Sequence, residues 1–232
     1  MRLVITRTEA VCGYVGPSRS GPRNRRVAPG IVIPVRPVAL VLALVALGCT
    51  TTADKSAADT RAAAPVDPNA PVELAYFAGG CFWGVEHYLE QLDGVQSVES
   101  GYMGGHVDSP TYADVSSQTS GHLETVVVRF DPGVVPYEAV AKRFFEIHDP
   151  TQADGQGPDL GPEYLSAVFY TSPAQKTTVE GLIAQLKTRG YDVVTELRPA
   201  EIFWPAEELH QDYYARTGKT PYCHARVRRF GD

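Results

Sequence analysis

The sequence predicts an α+β domain, a mixed and mostly antiparallel sheet with helices packed against it. Three observations lead there. Strand-like and helix-like segments follow one another without the strict alternation of a βαβ array. The strand-like segments are short, apolar or aromatic, and bounded by Gly or Pro. A stretch at 150–162, "PTQADGQGPDLGP", has too many Gly and Pro for either element and must be a long coil, the kind of segment that carries function in a compact domain.

The segments run in order from residue 72. "VELAYFAG" (72–79) ends at glycines and reads as a buried strand. After Cys81, the residues Val85, Tyr88, Leu89 and Leu92 recur at i, i+3, i+4 and i+7, so a helix packs there and stops near Gly94. "VQSVESGYMGG" (95–105) is a strand and "HVDSPTYADVSSQTSG" (106–121) a loop. "HLETVVVRFDP" (122–132) is a strong strand, and "PYEAVAKRFFEIHD" (136–149) a helix with proline in its first turn. Beyond the long coil, "EYLSAVFYT" (163–171) is a strand and 172–189 a helix opened by Ser172 and Pro173. A weak strand at 192–199, a short helix at 206–217 and a coiled tail with Cys223 complete the domain, 72–232.

The 71 residues before it are different in kind. Residues 1–36 hold seven arginines against Glu9 alone, and 38–47, "VALVLALVAL", are wholly apolar. Ten apolar residues match the h-region of a signal peptide and are too few to span a bilayer. The alternative, a core strand or helix, has to accommodate a segment without a polar face. Gly48 and Cys49 resemble the lipobox of bacterial lipoproteins, in which the cysteine is acylated. Residues 1–48 are therefore expected to be a leader, and 49–71, small, polar and punctuated by proline, a flexible tether. The expected location is exported, on the periplasmic side, held to the membrane through lipidated Cys49 or soluble there without the lipid. Beyond residue 36 the chain carries 14 basic and 26 acidic residues, a balance of −12. Such a body repels phosphate backbones, so no nucleic-acid partner is expected, and it fits a monomer on a tether.

With Cys12 in the leader and Cys49 lipidated, the free thiols are Cys81 and Cys223, and such a pair in an exported protein is either a structural disulfide or a redox couple. Cys81 opens a helix directly after two glycines, where the helix dipole and free N–H groups favour a thiolate. The other reading of Cys81 is a buried, inert thiol beside core aromatics. In "HLETVVVRF" the period of two puts Glu124 on a face shared with Val126, Val128 and Phe130, where desolvation raises a carboxyl pKa and keeps it protonated. An exposed strand-end glutamate is the competing reading. A nucleophilic thiol beside a protonated acid suits a reaction that attacks one atom and protonates the oxygen attached to it. Tyr112 and Tyr164 at loop–strand junctions and Asp159 in the long coil are further polar candidates, each weak alone. The six histidines show no metal-ligand spacing, so no metal site is expected.

"GCFWGVE" (80–86) closely resembles the signature of the peptide methionine sulfoxide reductase A family, which acts on the S epimer of methionine sulfoxide. The similarity runs over residues 73–226 and includes "SGHLETVVVRFDP", "FFEIHDPTQ", "QGPDLGPEYLSAVFY", "FWPAEELHQDYY" and "YCHARV". The resemblance implies a two-layer α+β sandwich with long coils. It assigns Cys81 as nucleophile and Glu124 as the acid that protonates the sulfoxide oxygen. Phe82 and Trp83 match the aromatics that hold the substrate methyl group, and Tyr112, Asp159 and Tyr164 the polar residues around that oxygen. Cys223 resembles a resolving cysteine, and Glu86, also in the signature, is read as structural. Cys81 would become a sulfenic acid, Cys223 would condense with it, and a thioredoxin-like dithiol would reduce the disulfide, with no organic cofactor. Ser116 where relatives often have cysteine, Leu123, Pro162–Glu163 and Leu165 depart from the family pattern without removing a catalytic group.

Overall fold

The computed structural model describes residues 71–231. The leader, nearly all of the tether and the lipidation candidate Cys49 lie outside the described residues. Among the described residues no helix is long and apolar enough to cross a membrane.

The elements are β1 (Glu73–Gly79), α1 (Phe82–Glu90), β2 (Val95–Met103), α2 (Tyr112–Ser116), β3 (Leu123–Phe130), α3 (Tyr137–Ile147), β4 (Gly155–Gln156), β5 (Asp159–Leu160), β6 (Ser166–Tyr170), α4 (Pro173–Thr188), β7 (Glu196–Pro199), β8 (Trp204–Pro205) and α5 (Tyr213–Thr217). Six strands form one sheet in the order β7-β6-β1-β3-β2-β8. All neighbours are antiparallel except β6 and β7. The mixed, mostly antiparallel sheet is as expected.

Alternation along the strands sorts the core onto two faces. Ala75 and Phe77 of β1, Val126, Val128 and Phe130 of β3 and Val168 of β6 meet α1, α3 and α4 through Leu89, Phe144, Leu182 and their neighbours. Each such fully buried side chain contributes about 1.5–3 kcal/mol. The opposite face is covered differently. Ala78, Met103, Leu123, Ala167 and Phe169, with Tyr76 beside them on β1, lie under Leu165, Ala200 and Phe203, a coil cover and not a helix layer. Glu124 belongs by parity to the helix face, at the β3 end that lies beside the start of α1.

Four segments differ from expectation. The loop 106–121 contains α2, whose Thr111 and Asp114 form a reciprocal capping box. The expected strand 163–171 is shorter, because Pro162–Tyr164 turn as a 3-10 helix before β6 begins. The long coil folds back on itself through the two-residue strands β4 and β5. The expected helix 206–217 is broken into a 3-10 turn at Glu208–His210 and α5, since Asp212 adopts a left-handed φ of 52° between them.

The tail after α5 lies along the end of α3. Val227 N–H donates to the Glu146 carbonyl at 2.7 Å, Arg226 Nε pairs with the Glu146 carboxylate at 2.8 Å, and Arg229 donates to the Phe145 carbonyl at 2.8 Å. These bonds bring Cys223 from 142 residues away to Cys81.

Candidate active site

The site is built at the junction of β1 and α1. Gly80 turns the chain with φ of +91°, a conformation open to glycine and strained for other residues. Cys81 then caps α1, and the free N–H groups of the first turn have definite partners. Phe82 N–H donates to Glu124 Oε2 at 3.0 Å, and Gly84 N–H to the Cys81 carbonyl at 3.1 Å. The Trp83 N–H acts on the Cys81 sulfur. One helix N-terminus therefore serves both the thiol and the carboxyl group.

Glu124 is 2% exposed. Burial raises its pKa well above the carboxylate range, and the charges of Glu163, Asp159 and Cys223 add to the rise against the Phe82 N–H. The expected protonated acid is thus a property of the folded site.

Cys81 and Cys223 are both unbonded thiols, buried, at 4% and 6% exposure. A carboxylate oxygen of Asp159 and the two sulfurs lie within 4.8 Å of one another. The expected order of acidity is inverted. Its hydrogen bond with Cys223, then burial, then the charges of Glu124 and Cys223 hold the Cys81 thiol well above its ordinary value, and the Trp83 N–H offsets only part. Cys223 is drawn down to about 5, first by the hydrogen bond from Cys81 and then, against burial, by His224 and Asp159. The helix N-terminus does favour a Cys81 thiolate, as its position suggested. In this packing a second sulfur outweighs it.

His224, which sequence reasoning left among the unspaced histidines, adds to the effect of Cys81 on Cys223. Its Nε2 lies 2.8 Å from the Gly79 carbonyl, which can only accept, so Nε2 carries the proton. Nδ1 faces Cys223 Sγ at 3.1 Å, where it can accept the Cys223 proton and, once it holds that proton, donate to the thiolate. The second glycine of "GCFWG" makes room for this ring, because a Cβ on Gly84 would stand 2.2 Å from His224 Nδ1. Gly84→Ala is expected to displace His224, cost about 1–3 kcal/mol of stability, and slow disulfide formation about tenfold or more. A stopped-flow record of thiol loss in the variant checks this; an unchanged rate would remove His224 from the resolving step.

The long coil supplies the polar groups. Asp159 on β5 accepts from Tyr222 Oη at 3.1 Å, and burial raises it to about 6, with Cys223 adding to the rise. Gln156 on β4 donates to the Cys223 carbonyl at 3.3 Å. Tyr164, in the turn before β6, lies within electrostatic reach of Glu124, Tyr112 and Cys81, and burial raises its pKa strongly. Tyr112 opens α2 and is held by Glu207, whose carboxylate accepts from Tyr112 N–H at 2.8 Å and from Tyr102 Oη at 2.9 Å. All the predicted polar residues therefore converge on Cys81 and Glu124.

The aromatic wall is more crowded than the sequence suggests. Phe82 is fully buried, whereas Trp83 is half-buried, with one face stacked on Tyr213 at 3.8 Å. Trp83 Nε1 donates to His210 Nδ1 at 3.2 Å, and the His210 ring also packs on Phe82 and Tyr112. Glu207, His210 and Tyr213 are partners that the sequence reading missed. The only signal for them was their place in "FWPAEELHQDYY". Glu86 is buried one turn further along α1, where burial lifts it to about 8; Ser100 and the Asp212 N–H lean toward it without reaching hydrogen-bond geometry. The groups that act on it are Asp212, Glu90 and Ser100.

A family model described as "Peptide methionine sulfoxide reductase" matches residues 73–231. The peptide methionine sulfoxide reductase MsrA of Thermus thermophilus is 49% identical over 154 residues, 66% of this chain and 88% of that protein. The MsrA of Saccharolobus solfataricus is 44% identical over 153 residues, 66% of this chain and 86% of its own length. Among solved structures, reduced Mxr1 of Saccharomyces cerevisiae superposes with a TM-score of 0.64 at 32% identity, covering 70% of this chain and 95% of that one. Methionine sulfoxide reductase A of Corynebacterium diphtheriae gives a TM-score of 0.59 at 32% identity, covering 66% and 77%.

Proposed function

The chain belongs to the peptide methionine sulfoxide reductase family, and on that premise we propose how its residues divide the reaction. The protein is a peptide-methionine (S)-S-oxide reductase, returning the S epimer of methionine sulfoxide, free or within proteins, to methionine. A non-enzymatic domain with a permanent disulfide is not favoured.

One observation carries the assignment of roles. A buried, protonated Glu124 and the thiol of Cys81 sit on the same helix N-terminus, one residue apart in their N–H contacts. Cys223 and Tyr222 lie over Cys81 and Asp159, so entry of the sulfoxide lifts this part of the tail. The proton that Cys81 shares with Cys223 leaves with Cys223, the largest influence raising the Cys81 pKa goes with it, and the Trp83 N–H holds the thiolate. Cys81 sulfur then attacks the sulfoxide sulfur while Glu124 protonates the oxygen. Tyr112, Tyr164 and Asp159 surround that oxygen, and Phe82 and Trp83 face the methyl group. The oxygen passes to Cys81, which becomes a sulfenic acid as methionine departs.

The tail then returns. His224 Nδ1 accepts the Cys223 proton, and the thiolate attacks the Cys81 sulfenic sulfur. A Cys81–Cys223 disulfide forms and water leaves. A thioredoxin-like dithiol supplies the two electrons and two protons that restore both thiols. A cavity of about 230 Å³, lined in part by His148, Gln156, Tyr222 and His224, borders Cys223 and offers the incoming sulfur an approach.

Thiol stoichiometry by mass spectrometry tests the scheme. Reduced protein given one equivalent of methyl S-sulfoxide is expected to yield one methionine and a Cys81–Cys223 disulfide. A persistent sulfenic acid on Cys81 would keep the attack and remove Cys223 as its resolving partner.

We also infer that the enzyme is exported, monomeric, and held at the membrane through lipidated Cys49. The apolar run 38–47, Gly48–Cys49 and the polar tether 49–71 support this reading. In a bacterial host, Cys49→Ala should move the protein from the membrane to the soluble fraction, and labelled fatty acid should stay with the parent protein alone. An unlabelled parent of full length in the cytosol would end the export reading.

A further inference from the structure

We propose that the reduced dithiol is a Zn²⁺ site, with Cys81 Sγ, Cys223 Sγ, Asp159 and His224 Nδ1 as ligands, and that zinc occupancy holds the enzyme inactive. The four donors come from the start of α1, the β4–β5 coil and the tail, so no spacing along the chain announces them. Both sulfurs and a carboxylate oxygen of Asp159 already lie within 4.8 Å of one another. A tetrahedral zinc with sulfur at about 2.3 Å and nitrogen or oxygen at about 2.0–2.2 Å has ligand–ligand edges of roughly 3.3–3.8 Å. The three donors reach that geometry by closing about one ångström.

His224 Nδ1 lies against Cys223 Sγ, outside that three-donor cluster, and moves in as the fourth ligand. Its Nδ1 lone pair is aimed at Cys223 Sγ from 3.1 Å, and its Nε2–H is fixed on the Gly79 carbonyl at 2.8 Å. Metal-binding histidines are oriented in this way, by a carbonyl on the far ring nitrogen. Tyr222 Oη gives Asp159 the same kind of support. Two thiolates with an imidazole and a carboxylate form a donor set suited to zinc and poorly suited to magnesium or calcium. The cavity beside Cys223 provides a way in.

Binding takes no electrons. The reduced pair holds one shared proton near neutrality, so one S–H bond breaks, two Zn–S bonds form and one proton leaves to solvent. The disulfide form has no thiolates to offer, so the site exists in the reduced enzyme alone. The inhibition, unlike the binding, rests on the reductase reading, since it requires Cys81 as the nucleophile.

The test uses the full chain carrying Cys12→Ser and Cys49→Ser, so that the remaining thiols are Cys81 and Cys223. Protein reduced with a phosphine and freed of metal is titrated with Zn²⁺ against a chromophoric chelator, and Cd²⁺ reports thiolate ligation through its ultraviolet charge-transfer band. One equivalent should bind with Kd at or below about 1 µM. Asp159→Asn and His224→Ala should each weaken binding about 10–100-fold, and oxidation to the disulfide should abolish it. Zinc uptake that survives oxidation, or none at tens of micromolar zinc, overturns the site. Sulfoxide reduction is followed in parallel, with and without chelator. One equivalent of zinc should abolish it and chelator restore it. Activity without zinc uptake sinks the site and spares the reductase. Zinc uptake by protein that is inactive when metal-free leaves the site and overturns the inhibition together with the reductase reading.

Discussion

Glu124→Gln is expected to lower kcat for sulfoxide reduction by about 10²–10⁴-fold, the range lost when a positioned acid is removed. The glutamine amide fits the space and has no proton to transfer. Its carbonyl oxygen can still accept from Phe82 N–H, so the variant should fold and the Cys81 environment should persist. The parent pH profile carries the same information. Glu124 is held well above the usual carboxylate range by burial and neighbouring charge, and the reaction needs its protonated form. Activity should therefore fall as pH rises through that folded pKa, and this limb should be missing from Glu124→Gln. Stability is linked with the same sign. The folded state keeps a proton that the unfolded chain loses near its ordinary value of 4.5, so this contribution is complete below that pH and is lost as pH rises toward the folded pKa. Steady-state kinetics at several pH values, with denaturant unfolding alongside, provide the check. A variant within threefold of the parent across the pH range would remove Glu124 from proton transfer.

Cys223→Ser is expected to separate the two halves of the cycle. Without added reductant it should still release one methionine per chain, because Cys81 and Glu124 remain. Cys81 should then persist as a sulfenic acid that a dione probe captures, whereas the parent shows a disulfide. Turnover with a thioredoxin-like protein should drop about 10²-fold or more, since there is no disulfide for it to exchange with. The same variant tests the inverted acidity. The hydrogen bond with Cys223 is the largest influence raising the Cys81 pKa, so its loss should move the pH midpoint of Cys81 alkylation downward. A midpoint that stays or rises would mean that burial alone sets the acidity of Cys81.

Much of this was legible in the chain. Periodicity located α1 and β3, because a half-buried strand or helix must repeat its apolar residues at its own period; an apolar run ending at glycines marked β1, and proline in the first turn marked α3 and α4. Parity along "HLETVVVRF" put Glu124 on the apolar face with Val126 and Val128. A thiol at a glycine corner before a helix marked Cys81. Short elements were lost where local signals compete. A capping box at Thr111–Asp114 opens α2 within a stretch rich in Ser and Gly, and one left-handed residue, Asp212, divides what periodicity reads as a single helix.

The sequence by itself marked the order of the longer elements, the candidate pair Cys81 and Glu124, and the resemblance to the family. The tertiary structure decided which thiol is acidic, because pKa depends on what stands within a few ångströms and not on position along the chain. The hydrogen bond from Cys81 draws the charge onto Cys223, and His224, from the far end of the chain, fills the space over Gly84 and adds to it. Trp83 is likewise set by Tyr213 and His210, partners more than a hundred residues away. Periodicity records which face a residue turns inward. Which group meets it there is settled only when the sheet, the long coil and the tail close on one another.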